Sequence, residues 1–324
     1  MQEYDMVVVG GGPAGLAAAI KAKQEGIKSI LLLEREDELG GALKQCIHSG
    51  FGIEIFKEDF TGTEYAQKYI DKLKELNIEY KLNTMVFEFS KNNILTAVNG
   101  EEGILEIKAK AVILATGCRE KSRGAINMPG IRSAGVYTVG TAQKFINVDG
   151  YMPGKEIVIL GSGDIALIIA RRIILEGAKV KAVVEIMPYP DGSEKNVIEC
   201  LDDFNIPLKL SYTVINIRGK DRVEGITIAK VDKNKITIQG TEEYIPCDTV
   251  LLSVALTADN ELARKAGIRT ILKTGGIEVD FKMQTSMEGV FACGNALYIH
   301  DAIDYITTES YEAGKNAAYY VKSL

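Results

Sequence analysis

The chain has 324 residues, of which 46% are hydrophobic and 25% charged, and it carries a net charge of −6. That length buries a full core and leaves room for two domains. The acidic balance carries no basic stripe, which argues against nucleic acid as a partner, and no apolar run approaches the roughly 20 residues of a membrane helix.

The N-terminal MQEYD leads into the apolar run Met6–Val9 rather than into a signal sequence, so a cytoplasmic protein is expected. The run is short and β-branched, as suits a strand buried on both faces. Gly10, Gly12 and Gly15 follow at G-x-G-x-x-G spacing. An alanine-rich helix then runs to Gly26, and a second apolar run, Ile30–Leu33, is closed by Glu34. In such a unit the first glycine permits the strand-to-helix turn, the second lets backbone approach a pyrophosphate, and the third lets helix and strand pack. The helix N-terminus offers unpaired N–H groups to that pyrophosphate, and the acid accepts ribose hydroxyls.

The next stretch, GGALKQCIHSG (residues 40–50), sets Cys46 two residues before His48, one of only two histidines. Two readings stand side by side. Cys46 is a low-pKa thiol cycling through sulfenic acid, or it is a buried cysteine that only packs. His48 and His300 either move protons or sit satisfied in the core. A metal site of Cys46, His48 and His300 is short of ligands, so no metal is expected. The five cysteines, 46, 118, 200, 247 and 293, include no CxxC pair. Residues 57–76 predict an amphipathic helix, and AVILATG (111–117) a further strand and turn.

The stretch EIVILGSGDIALIIARRIILEGAKVKAVVE repeats the first unit. Its run is Ile157–Leu160, its frame Gly161, Gly163 and Ala166, its helix stop Gly177, and its second strand Val180–Val184 ends at Glu185. The spacings agree: 10 to 26 and 161 to 177 for the helix stop, 10 to 34 and 161 to 185 for the acid. One glycine-rich turn is weak evidence; two copies with strand, helix and acid at one spacing predict two bound dinucleotides. TSMEGVFACGN (285–295) follows, and then a final helix over 307–320, capped by Thr307 or Thr308.

With these motifs in this order, the chain resembles the two-dinucleotide flavoproteins of the pyridine nucleotide-disulfide oxidoreductase family, in their small, thioredoxin-reductase-like form. AVILATG resembles the family's middle motif, and TSMEGVFACGN its C-terminal flavin motif, which normally ends in Gly-Asp. The resemblance implies an α/β fold of two Rossmann-like, three-layer βαβ domains. A discontinuous FAD domain would span 1–117 plus 248–324, with an NAD(P)H domain over 118–247 inserted into it. By the same resemblance FAD would meet Gly10, Gly12, Pro13, Ala14, Gly15, Glu34, Arg35, Gly41, Val86, Ala115, Thr116, Gly117, Gly294, Asn295, Ile306 and Thr307. The nicotinamide nucleotide would meet Gly161, Ser162, Gly163, Asp164, Ile165, Ala166 and Glu185. Asn295 departs from the family's aspartate, yet its amide can still bond a ribityl hydroxyl. Glu185, followed by IMPYPDG without an arginine, favours NADH over NADPH.

LKQCIHSGFG, ATGCRE, GYMPGKEIVILGSGDIALIIARRI and YIPCDTVLLSV look like the flavoproteins that accompany FAD-dependent glycerol-3-phosphate dehydrogenases and opine or amine oxidoreductases. That implies an NADH:acceptor oxidoreductase, as a homo-oligomer or within a hetero-complex. Electrons would pass to a dehydrogenase partner subunit, a small cysteine-rich carrier or a small acceptor. Two other readings stand: a peroxide or disulfide reductase with Cys46 and His48 catalytic, and a non-catalytic flavin-binding subunit of a dehydrogenase complex.

Overall fold

The computed structural model describes residues 1–324 apart from Lys91 and Asp301. The chain divides into two bodies, Met1–Arg119 with Leu256–Leu324, and Glu120–Ala255. Each is α/β; the main sheet of the first is mixed, parallel on one side and antiparallel on the other, and that of the second is parallel.

The first body opens with β1 (Gln2–Val9), α1 (Pro13–Gln24) and β2 (Ile30–Leu33), and β1 pairs in parallel with β2 from Met6–Ile30 to Val9–Leu33. Met6 and Val8 pack toward α1 with Leu16, Ala18 and Leu32, while Val7 and Val9 pack on the opposite face with Leu31 and Leu33. Both faces are covered, so the strand reads as an unbroken apolar run. The helix expected over 57–76 starts later, as α2 (Gly62–Glu75), because Thr61 and Glu64 form a reciprocal capping box. β3 (Glu79–Lys81), β4 (Thr84–Phe89), β5 (Ile94–Asn99) and β6 (Gly103–Leu114) extend the sheet in the order β3-β2-β1-β6-β5-β4.

The second body contains β7 (Val136–Thr138), β8 (Glu156–Leu160), α3 (Asp164–Leu175), β9 (Lys179–Glu185), α4 (Glu194–Cys200) and β10 (Leu208–Leu210). β11 (Tyr212–Gly219), β12 (Val223–Lys230) and β13 (Glu243–Pro246) form an antiparallel sheet, and β14 (Thr249–Leu252) returns to the parallel one, ordered β7-β14-β8-β9-β10. Three layers result. Ile157 and Ile159 face Ala166 and Leu167, and Val158 and Leu160 face Ile226 and Ile228. The expected crossings at 117/118 and 247/248 therefore move to 119/120 and 255/256. The second shift has a plain cause: β14 is buried throughout and pairs with β7 and β8 inside this body.

The chain then returns to the first body. β15 (Val290–Ala292) pairs in parallel with β6, and α5 (Ile303–Ser323) lies on α1, where a Cβ at Gly314 would stand 2.3 Å from the Ala18 carbonyl oxygen. α5 begins earlier than expected. Its buried stripe of Ile306, Ser310, Ala313 and Ala317 continues back to Asp304, so Thr307 and Thr308 lie inside the helix and cap nothing. Among the described residues no helix is long and apolar enough to cross a membrane.

Burial pushes the thiols of Cys247 and Cys293 up to about 12. In the native protein at pH 8 a disulfide reagent such as DTNB is expected to leave both unreacted, and to titrate them once guanidinium unfolds the chain. Unfolded thiols ionise near 8.5, so the stability these two contribute falls as pH rises from about 8.5 toward 12.

Candidate functional site

The turn from β1 to α1 admits no side chain at two places. Gly10 has φ +110, and a Cβ on it would lie 2.3 Å from the Ala115 carbonyl oxygen; at Gly15 a Cβ would lie 1.8 Å from the Gly10 carbonyl oxygen. Distant segments close on this turn. A Cβ on Gly41 would stand 3.0 Å from Gly12 Cα, one on Gly294 would stand 2.7 Å from Ala14 Cβ, and the Ala115 N–H donates to Val9 O at 2.9 Å. Gly40–Gly41, Ala115–Thr116 and Gly294 thus meet the loop Gly10–Gly15.

Gly12 is the N-cap of α1, with Pro13 opening the helix, and no side chain caps it; a Cβ there would meet nothing nearer than Gly41 Cα at 3.9 Å. An uncapped helix start under bare glycine backbone fits an anionic diphosphate. Gly117, with φ +71, has nothing within 4 Å of its Cβ position. Glu34 braces the loop: it is 6% exposed, and its carboxylate accepts the Gly11 N–H at 2.6 Å and the Glu36 N–H at 2.9 Å. Its oxygens keep acceptor capacity for a hydroxyl.

The other residues expected at FAD are more dispersed. Arg35 is exposed and pairs with Asp259 at 3.5 Å, and Thr116 Oγ1 donates to Asn260 Oδ1 at 3.2 Å. Val86 lies in β4 opposite Ala97. The side chains of Ile306 and Thr307 are buried, with the Thr307 hydroxyl 2.7 Å from Tyr65 Oη. Asn295 accepts the His300 N–H at 3.1 Å and donates to Cys118 Sγ at 3.4 Å. No sequence pattern marks Glu309. Its Oε1 accepts the Gly294 N–H at 2.6 Å and its Oε2 lies 3.4 Å from His300 Nε2. Burial pushes its carboxyl above the usual range, and the Gly294 N–H and His300 pull against that.

The second loop repeats the backbone hydrogen bonds of the first and adds one from a serine hydroxyl. Gly161 has φ +101, and a Cβ on it would lie 2.0 Å from the Ser253 carbonyl oxygen. Glu185, also 6% exposed, accepts the Ser162 N–H at 2.9 Å, the Ser162 hydroxyl at 2.7 Å and the Met187 N–H at 2.9 Å. Gly163 starts α3 without a side-chain cap, Ile165 is exposed, and Ala166 is buried under the helix. Asp164 Oδ1 accepts Ser193 N–H at 2.8 Å and Asn196 Nδ2 at 2.7 Å, which ties the start of α3 to that of α4.

Cys46 is buried. Its Sγ donates to Ala42 O at 3.4 Å, and the start of α2 presses on it: a Cβ on Gly62 would lie 2.6 Å from Cys46 Cβ. His48 Nδ1 lies 2.9 Å from Ser49 O, and its ring stands 5.1 Å from Phe51. His300 belongs to a different group, with the Tyr298 ring 4.0 Å away and Glu309 beyond.

A family model described as pyridine nucleotide-disulphide oxidoreductase matches residues 4–318. The chain is 28% identical over 299 residues to an NAD(P)H sulfur oxidoreductase (CoA-dependent) of Pyrococcus abyssi, across 90% of this chain and 62% of that protein. It is 25% identical over 283 residues to the hydrogen cyanide synthase subunit HcnB of Pseudomonas protegens, across 81% of this chain and 58% of that one. The chain thus spans about six-tenths of the length of both. The crystal structure of Lactococcus lactis thioredoxin reductase has a similar fold, with TM-score 0.79, 22% identity, and coverage of 99% of this chain and 100% of that one.

Proposed function

The chain belongs to the pyridine nucleotide-disulphide oxidoreductase family, whose members use FAD and NAD(P)H, and on that premise we propose that it is an FAD-dependent NADH:acceptor oxidoreductase. The observation that carries this reading is the duplicated loop, in which Glu34 and Glu185 each brace a glycine turn beneath an uncapped helix. FAD, when bound, supplies hydride acceptance from the nicotinamide and electron release to an acceptor.

The chain's own residues divide the rest. Gly10–Gly15, Glu34, Gly41, Gly117 and Gly294 hold the flavin nucleotide by backbone approach and ribose hydrogen bonds. Gly161–Ala166 and Glu185 hold the nicotinamide nucleotide. A carboxylate at Glu185, with no lysine or arginine before Lys195, repels a 2′-phosphate and selects NADH. The electrons leave to a partner subunit or small acceptor, as in the flavoproteins that accompany glycerol-3-phosphate and opine dehydrogenases; that one relative is by its name a subunit supports this. Cys46 packs beside the flavin loop, consistent with its burial and its bond to Ala42 O.

The test is NADH oxidation by the purified chain with ferricyanide as acceptor, wild type against Cys46→Ser. The variant is expected to keep at least about half of the wild-type rate, since the flavin carries the chemistry. Loss of that rate in Cys46→Ser would transfer the chemistry to the thiol. No NADH oxidation by the wild type would leave a non-catalytic flavin subunit.

A further inference from the structure

The two glycine loops agree in backbone and differ in charge. Gly40 N–H donates to Gly11 O in the first, and Gly192 N–H donates to Ser162 O in the second, each at 2.9 Å. The chain therefore returns over each loop in the same way after its bracing glutamate. In the first copy the residue before that donor is the apolar Leu39, whose Cδ2 lies 2.7 Å from the Cβ position of Gly11. The backbone of Gly41 faces Gly12, its Cα 3.9 Å from the Cβ position there, and the helix opens with uncharged Pro13. In the second copy the corresponding return carries Asp191. Its N–H donates to Ser162 Oγ at 2.9 Å, and its carboxylate Oδ2 lies 3.6 Å from the Cβ position of Gly163. Gly163 is the residue that must stay bare for a pyrophosphate to approach. Asp164 also adds a carboxylate at this helix start, but its Oδ1 is directed to Ser193 and Asn196.

We infer that Asp191 sets the affinity of the second dinucleotide site: its carboxylate opposes the pyrophosphate and keeps the nicotinamide nucleotide weakly held and exchangeable. The first copy, with uncharged Leu39 in that register and only the Gly41 backbone facing Gly12, retains its nucleotide. This rests on the proposal that the second loop takes the nicotinamide nucleotide. Like charges a few ångströms apart at a solvent-facing site repel measurably, and salt screens that repulsion.

The test uses the intact, flavin-loaded chain and NAD⁺, which leaves the flavin oxidised. Calorimetric affinities are compared for wild type, Asp191→Asn and Asp191→Gly at 50 and 500 mM NaCl, with adenosine as a ligand that lacks phosphates. Both variants are expected to bind NAD⁺ about ten-fold more tightly at low salt, with the gap shrinking at high salt and adenosine affinity unchanged. Unchanged or weakened NAD⁺ binding, or an equal gain for adenosine, would overturn the role of Asp191 alone. Absence of NAD⁺ binding at millimolar concentration in all three proteins would overturn the nucleotide assignment of the second loop as well. Asp191 is exposed, so neither substitution disturbs the core, and flavin content reports that directly.

Discussion

Gly15→Ala is expected to yield a protein that is colourless and less stable. The added Cβ would lie 1.8 Å from the Gly10 carbonyl oxygen, 3.0 Å from the Gly10 carbonyl carbon and 3.3 Å from Val8 Cγ1. Two of those neighbours are backbone, so no rotamer change relieves the contact, and α1 must move away from β1. That movement carries further, because α1 is also the surface on which Gly314 of α5 rests. Overpacking of this kind destabilises by ~3 kcal/mol, at the upper end of what one methyl group does in a core. Thermal unfolding and the ratio of flavin to protein absorbance measure both consequences. Gly12→Ala separates them: its Cβ would meet only Gly41 Cα at 3.9 Å, so stability should stay near wild type while flavin retention falls.

The second large effect distinguishes the two carboxylates. Glu34→Ala is expected to lose flavin, whereas Glu185→Ala should remain yellow and fail to bind NADH. Each alanine takes the acceptor from two backbone N–H groups, those of Gly11 and Glu36 in one case and of Ser162 and Met187 in the other, and the first of each pair is buried. Leaving such donors unpaired costs ~2–4 kcal/mol locally. The two residues belong to different bodies, each with its own core, so the damage should stay where it is made. Flavin content and NADH affinity measured on both variants give a two-by-two result. A Glu185→Ala protein that loses flavin as fully as Glu34→Ala would break the assignment of one nucleotide to each loop.

Much of this was legible because the decisive constraints are local. Met6–Val9 and Ile157–Leu160 read as unbroken apolar runs because each strand is covered on both faces. Gly10, Gly15 and Gly161 read as glycine because a Cβ there meets a carbonyl oxygen. What stayed hidden depends on distant partners. The run at Thr249–Leu252 looks like any buried parallel strand, and only its pairing with β7 and β8 says which sheet takes it. Glu309 sits on a helix with Glu312 one turn away, and nothing nearby in the sequence marks it as the acceptor of the Gly294 N–H. The helix expected over 57–76 starts only at Gly62, after the Thr61–Glu64 capping box, because the charged residues before it share the amphipathic pattern without joining the helix.

The central claim is that this single chain holds both nucleotides and passes hydride from NADH to FAD. Anaerobic titration of the purified wild-type protein with NADH, followed at the flavin band near ~450 nm, tests it most directly. Complete bleaching at about one NADH per flavin is the expected result, with the flavin as the sole redox centre and Cys46 silent. A flavin that stays oxidised in excess NADH, or one that takes up about two equivalents in wild type but one in Cys46→Ser, would contradict it.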